Sequence, residues 1–359
     1  MTLLEQLQKL ATEKNSPCVT ISLNTHRTHP DNKLDAILLK NLLDEAKDRI
    51  NAESEKKDVA KLLANIESVS AEIDHNHNLD SLHIFLSNDT KDIIKSAWAT
   101  NNQGVQISET FALRSLIKAY VRSENYLILL LSQSGVHLYQ AANDSIVKEI
   151  INDDFPFGEN RNSNKKGIKL SDAEYQDNLL KEYLNRVDKA VVKVYNATNL
   201  NCVVIAENDN WNKLQEVADV PKVYIGHDAI DYNNTKTHEI AMKSWKIVQK
   251  QQRNKRSEAI AAIQEAVANG QVLTDLQEIY QAAIDGRGDI LIVNQEFSQA
   301  VIMNDERTFT LLDNAQSDNA IDDITSNIAW EVISKKGIVH FTAQEELDNL
   351  GKIVLKTRY

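Results

Sequence analysis

Short runs of branched apolar residues alternate with helical stripes along almost the whole of this chain. "CVTISL", "LDSLHIFLSN", "VQISETF", "NCVVIAEN", "KVYIGH", "DILIVNQ", "FSQAVIM", "IVHFTA" and "LGKIVLKTRY" are too short for core helices and read as strands. Between them come stripes such as "LLEQLQKLA", with leucines at 3, 4, 7 and 10, and "LDAILLKNLLDEAKDRINA", apolar at 34, 37, 38, 42, 43, 46 and 50. "KKDVAKLLANIESV", "ALRSLIKAYVRS" and "NWNKLQEVA" follow the same period. An amphipathic helix must cover its stripe, and a sheet face is the nearest cover, so strand–helix alternation predicts stacked α/β layers.

The 359 residues are too many for one ordinary domain, and the ten glycines and four prolines leave little material for long flexible linkers. The pattern divides into three consecutive α/β domains: residues 1–122, 123–237 and 238–359. In the second, "NYLILLLSQSGVHLYQAANDSIVKEII" reads as a β-hairpin turning at Ser132-Gln133-Ser134-Gly135. The polar stretch that follows predicts an exposed loop over 158–170, and then a long helix capped by Ser171 with Glu174. In the third, "HEIAMKSWKIVQKQQRNKRSEAIAAIQEAVANG" predicts a helix broken near Asn254 and stopped by Gly270. "LTDLQEIYQAAIDG" predicts a helix capped by Thr274 and ended by Gly286, and "IDDITSNIAWEVISKKG" one closed by Gly337.

A net charge of -12 and a pI near 5.3 exclude a chain whose whole surface binds nucleic acid, so the placement of charge matters more than its total. Cys18 and Cys202 each lie in a strand-like run and are expected to be reduced and buried. "MTLLEQLQKLATEK" carries an acid early, unlike a signal peptide, and no apolar run is long enough to span a bilayer. Cytoplasmic placement and no membrane contact are the expectations.

The glycine-rich phosphate loops, nucleophile elbow and zinc helix of the common enzyme classes are absent. "DGRGD" follows a helix and precedes a strand, the reverse of a dinucleotide turn, so it reads as a helix stop. Asp153-Asp154 and Asp322-Asp323 read as capping and solvated carboxylates rather than an acid/base pair. His26 and His29 have the spacing of two metal ligands, with His75 and His77 as candidate thirds. Arg27 between them puts a fixed positive charge where a cation would sit, so no metal site is expected. No cofactor is expected either.

One charge cluster stands out. "KSWKIVQKQQRNKR", 243–256, has six basic residues and no acidic one. Lys243, Lys246, Lys250 and Arg253 recur every three or four residues and share one helix face, with Lys255 and Arg256 beside them. A solvated face is the commoner explanation of such a run. Phosphate contact is the functional one. Arg161, Lys165, Lys166 and Lys169 make a second, weaker basic spot in the 158–170 loop.

The ordered set of elements resembles the class I peptide-release factors of archaea and eukaryotes and their rescue relative Pelota. It is most similar to the bacterial branch of that superfamily, which includes the hibernation factor Balon. The resemblance spans nearly the full length and rests on four stretches: "LLEQLQKLATEKNSPCVTISLNTHRTHPDN", "FALRSLIKAYVRSENYLILLLSQSGVHLYQAANDSIVKEI", "LTDLQEIYQAAIDGRGDILIV" and "KIVLKTRY". It implies a release-factor-like body whose third domain has the kink-turn-binding ribosomal protein fold. It also implies a monomer and a tRNA mimic in the ribosomal A site, with ribosomal RNA and often a translational GTPase as partners.

Two family motifs do not carry over. Peptide release uses a Gly-Gly-Gln loop, and the corresponding "FGENRNSNKKGIKLSDAEY" has Gly158 and Gly167 but no Gly-Gly and no Gln before Gln176. The stop-codon motif Asn-Ile-Lys-Ser is absent too. The resemblance therefore implies a non-enzymatic A-site occupier, in hibernation or stalled-ribosome handling. Its RNA contacts would come from His26, Arg27 and His29 near the decoding centre, the 158–170 loop, and the basic stripe. Two other readings stand beside it: a peptidyl-tRNA hydrolase with a non-standard loop, and a soluble regulator that kept the fold without the ribosome. For the 25–29 loop the competing reading is structural, with His29 and Asp31 capping a helix that begins near Leu34.

Overall fold

The computed structural model describes residues 2–13, 17–53, 59–132, 135–158, 173–229, 235–313, 320–343 and 350–359. The Ser171 cap, the Gln133-Ser134 turn and the four basic residues of the 158–170 loop lie outside these. The chain is mixed α/β, as its alternation predicts. It divides into two compact units, one made of residues 1–122 with 258–359 and the other of 123–257.

The first segment of the first unit contains α1 (Leu3–Thr12), β1 (Cys18–Asn24), α2 (Asn32–Glu53), α3 (Ala60–Val69), β2 (Ser81–Leu86), β3 (Lys91–Ser96), β4 (Gly104–Ser108) and α4 (Arg114–Arg122). Its antiparallel sheet runs β3-β2-β1-β4. Alternate residues of a strand face opposite ways. Val19, Ile21 and Leu23 pack with Leu39, Leu43, Leu62 and Ile66 of α2 and α3, and Cys18 joins Leu7, Leu10, Phe85 and Ile117 in a second core.

The 123–257 unit contains β5 (Asn125–Ser132), β6 (Gly135–Ala142), β7 (Ser145–Glu149), α5 (Ala173–Thr198), β8 (Cys202–Ile205), α6 (Asn208–Val217), β9 (Tyr224–Asp228) and the first two-thirds of α7 (Thr237–Val267). Its sheet runs β7-β6-β5-β8-β9, antiparallel on the hairpin side and parallel from β5 to β9. The interior strand β8 is buried at every position, as expected for a parallel strand covered on both faces. Leu127, Leu129 and Leu131 of β5 meet Leu184, Val187 and Val191 of α5.

The remainder of the first unit contains β10 (Val272–Leu273), α8 (Leu276–Ile284), β11 (Gly288–Asn294), β12 (Ala300–Met303), β13 (Phe309–Leu312), β14 (Ala320–Ile321), α9 (Ile324–Ser334), β15 (Ile338–Thr342) and β16 (Ile353–Thr357). They form sheets of order β10-β16-β11-β15 and β13-β12-β14. Sequence reading separates residues 1–122 from 238–359. Here both contribute to one core, where Leu7, Leu10, Phe85 and Ile117 lie with Ile279, Leu291, Ile328 and Leu355. The unit boundary falls inside α7, after Ser257.

Several local expectations change. Helix α7 runs unbroken through Asn254. Asp275, not Thr274, caps α8: its Oδ1 accepts from the backbone N–H of Gln277 and Glu278, both at 3.0 Å. The Gly286 stop takes the left-handed backbone at φ 71, but at the end of α9 that conformation belongs to Lys336, at φ 65. Gly337 is needed there for space, because a Cβ would lie 2.5 Å from a Val332 methyl and 2.9 Å from the Gly288 carbonyl oxygen. Helix α2 begins at Asn32, and its first backbone bonds run to the carbonyls of Thr28, Pro30 and Asp31 rather than to a His29 or Asp31 side chain.

Candidate nucleic-acid interface

The basic stripe is set by what the other side of α7 must bury. Ile240, Ala241, Ser244, Trp245 and Val248 are buried at helical spacing. The Trp245 ring stacks on Tyr126 of β5 with centroids 6.4 Å apart. Tyr126 donates its hydroxyl to the Asn143 carbonyl at 2.9 Å, and Gln251 donates to the Ile225 carbonyl at 3.0 Å. These contacts fix the rotation of the helix about its axis, so the positions out of phase with them must face solvent. Lys243, Lys246, Lys250 and Arg253 are all exposed. At 1.5 Å per residue they extend over about 15 Å. Among the described residues none of the four is ion-paired.

The two basic residues that follow are placed differently. Lys255 lies 3.8 Å from Glu124. Arg256 is half-buried, and burial, then the neighbouring Arg253, holds its guanidinium below the ordinary value. The six-residue cluster is therefore a stripe of four, plus two that face the body of their own unit.

The loop after β1 is built another way. Its backbone is pinned where Thr25 donates its hydroxyl to the Leu79 carbonyl at 2.8 Å. Asp35, one turn into α2 and 2 % exposed, accepts from the His26 backbone N–H at 2.8 Å and contacts its Nδ1 at 2.8 Å. The Asn78 amide donates to the same carboxylate at 3.1 Å. Bonding to Asp35 raises the His26 pKa above the usual histidine value. Arg27 forms a fork on Asp80, with Nε at 2.7 Å and a terminal nitrogen at 3.0 Å. His29 is exposed. Asp35, Asp80 and Asn78 were not singled out by sequence reasoning. Only Asp35 left a signal, as an acid in the first turn of a helix. His77 Nδ1 is bonded to Asp74 at 2.7 Å, and among the described residues no group of three His, Cys, Asp or Glu side chains could hold a metal ion.

The two carboxylate pairs serve the fold. Asp323 caps α9 and meets Arg114 at 2.5 Å, while burial raises the pKa of Asp322. Asp154 pairs with Lys193 at 3.0 Å. Among the described residues no helix is long and apolar enough to cross a membrane.

Residues 125–287 match a family described as bacterial archaeo-eukaryotic release factor family 3, a span that runs from β5 through α8 and contains the whole stripe. No curated protein matches the chain. Among solved structures it is similar to an archaeal Pelota in a ribosome-bound assembly with ABCE1, at 14% identity over 78% of this chain and 72% of that one, with a TM-score of 0.42. It is similar to the archaeal translation termination factor aRF1, at 11% identity over 99% and 97% of the two chains, TM-score 0.27. It is also similar to Dom34 of S. cerevisiae, described as a translation termination-like factor involved in RNA quality control and interacting with Hbs1. That match has 13% identity over 78% and 73%, TM-score 0.37.

Proposed function

We infer from the match over residues 125–287 that the chain belongs to the bacterial branch of the archaeo-eukaryotic release factors. From that premise we propose that it is a ribosome-binding factor that occupies the A site of idle or stalled ribosomes without releasing the peptide. The observation that carries this reading is the α7 stripe: four exposed cations in a strongly acidic chain, inside the matched span, with no ion-pair partner among the described residues. Lysines held at fixed intervals along a rigid helix suit the phosphates of a folded RNA, where neutralisation releases counterions and gives a salt-dependent affinity. The sequence contains no Gly-Gly pair, so the release loop of the superfamily has no counterpart to act on peptidyl-tRNA. A translational GTPase as second partner rests on the superfamily resemblance.

The test is co-sedimentation with purified 70S ribosomes at a series of salt concentrations. The wild-type chain should migrate with the particles and leave them as salt rises, with the slope reduced by about three when Lys243, Lys246 and Lys250 are neutralised. A chain that stays at the top of the gradient at low salt removes the ribosome from the reading. Peptide release above background from stalled complexes removes the non-enzymatic part and favours a hydrolase with a non-standard loop.

A further inference from the structure

The unit built from both chain ends encloses a cavity of about 240 Å³ whose lining includes His83, Trp98, Thr100, Asn102, Lys118 and Arg122. Its floor is α4, which presents Arg114, Lys118 and Arg122 four residues apart on one face. Like charges at that spacing repel. Arg114 is committed to the fold: it meets Asp323 at 2.5 Å, Thr325 at 2.8 Å and the Phe297 carbonyl at 2.5 Å. Arg122 sits in the last turn, where the helix dipole favours a cation. Lys118 has only a weaker compensation, its ammonium lying 5.6 Å from the centroid of the Phe341 ring. It lies half-buried between the two arginines and donates one bond, at 2.6 Å, to the Gln295 carbonyl. An ammonium has three N–H groups.

Burial, then Arg114 and Arg122, push the Lys118 amine down to about 8, against the opposing pull of Glu296 and Asp323. The other walls are polar. The hydroxyls of Thr100 and Ser115 are 2.7 Å apart, and His83 is held between Ser22 at 2.8 Å and Ser81 at 2.9 Å. The Arg122 guanidinium covers the Trp98 ring at 5.7 Å. Glu296 lines the cavity as an exposed opposing charge. A crowded cation with unused donors in such a cavity is stabilised by an oxyanion. The volume is well above the roughly 10–15 Å³ that one water needs, which leaves room for more than a phosphate group alone.

We propose that this cavity binds a nucleoside phosphomonoester, its phosphate on Lys118 and Arg122 and its flat ring beside Trp98. The phosphate-bearing nucleoside can be a free mononucleotide or the phosphorylated end of an RNA. Both present the same group, and neither depends on the ribosomal reading above.

The experiment is titration calorimetry on the full chain with adenosine and guanosine monophosphates, inorganic phosphate, and short oligoribonucleotides with 5′-phosphate or 5′-hydroxyl ends. Saturable sub-millimolar binding of the mononucleotides is expected, weakened at least about tenfold by Lys118→Gln and partly restored by Lys118→Arg. Binding of wild type should also weaken as pH rises through the Lys118 value near 8, which needs no variant. A preference for the 5′-phosphorylated oligonucleotide over mononucleotides assigns the site to an RNA end. No saturable heat with any phosphate-bearing probe overturns the proposal. So does undiminished binding by a folded Lys118→Gln chain, or binding of inorganic phosphate as tight as that of the nucleotides.

Discussion

The loop after β1 and the outer face of α7 both begin as clusters of basic side chains, yet among the described residues the fold supplies carboxylates to one and not to the other. His26 receives Asp35 from nine residues away and Arg27 receives Asp80 from 53 residues away. Lys243, Lys246, Lys250 and Arg253 are exposed and have no ion pair among the described residues. A basic string is thus a statement about composition. Whether it becomes an attractive surface is decided by which acids the topology returns to it. What sets the stripe apart is that four such cations stand together at helical spacing on one exposed face.

The largest expected effect separates the two directly. Reversing Lys243, Lys246 and Lys250 to Glu should weaken ribosome association on the order of 1000-fold at low salt, while changing folding stability by less than about 0.5 kcal/mol. Gradient sedimentation and chemical denaturation of the same variant report both numbers. Wild-type association would place the stripe with the neutralised loop as mere surface.

Histidines sharpen the contrast through pH. His83 is buried, and burial lowers its pKa to about 4 from the ordinary 6.5. The unfolded chain then takes up a proton that the folded chain refuses, so stability should fall by about 3 kcal/mol as pH drops through that window. His26 works in the opposite sense. Its pKa is raised, so its contribution is complete below the ordinary histidine value and fades as pH rises through the raised one. In urea titrations from acid to neutral pH, His83→Gln should flatten the dependence and His26→Gln should steepen it. Identical profiles for the two variants would contradict the assignment.

Next in size is Asp35→Ala, which leaves the His26 N–H and the Asn78 amide without their acceptor and should cost about 2 kcal/mol. A denaturation midpoint matching wild type would mean that the carboxylate does not hold the loop. Smallest is Arg27→Ala. Its pair with Asp80 is about a third exposed on each side and should contribute less than about 1 kcal/mol to stability. Any larger loss of ribosome binding in this variant would make Arg27 an RNA contact that exchanges Asp80 for phosphate. Unchanged binding would leave it an intramolecular clasp.

The layers were legible because β-branched runs and leucine stripes are local patterns. Val19, Ile21 and Leu23 announce their sheet face without knowledge of what covers it. The exposed direction of the stripe was legible too, since helical spacing alone separates Lys243 and Lys246 from Trp245 and Val248. Strands β3, β13 and β14 were not, because "KDIIKS" and "FTLL" are short and half-exposed and look like turns until a neighbour pairs with them. The partners of His26 and Arg27 were beyond reach for a different reason. Asp35 and Asp80 are ordinary acids in a sequence full of them, and only the return of the chain brings them near. The joining of 1–122 with 258–359 has the same origin, since shared cores leave no mark on either stretch. Lys336 marks a further limit. A glycine one position on looked like the helix stop, but it serves to keep the Val332 methyl clear.

The shared core also has a consequence for biosynthesis. Arg114 meets Asp323, 209 residues later in the chain. At translation speeds of about 5–20 residues per second, the arginine emerges roughly 10–40 s before its carboxylate exists. Through that interval Leu7, Leu10, Phe85 and Ile117 await the strands and helices that will cover them, while the 123–257 unit between has every residue it needs. The newborn chain must complete its middle first and close its beginning last.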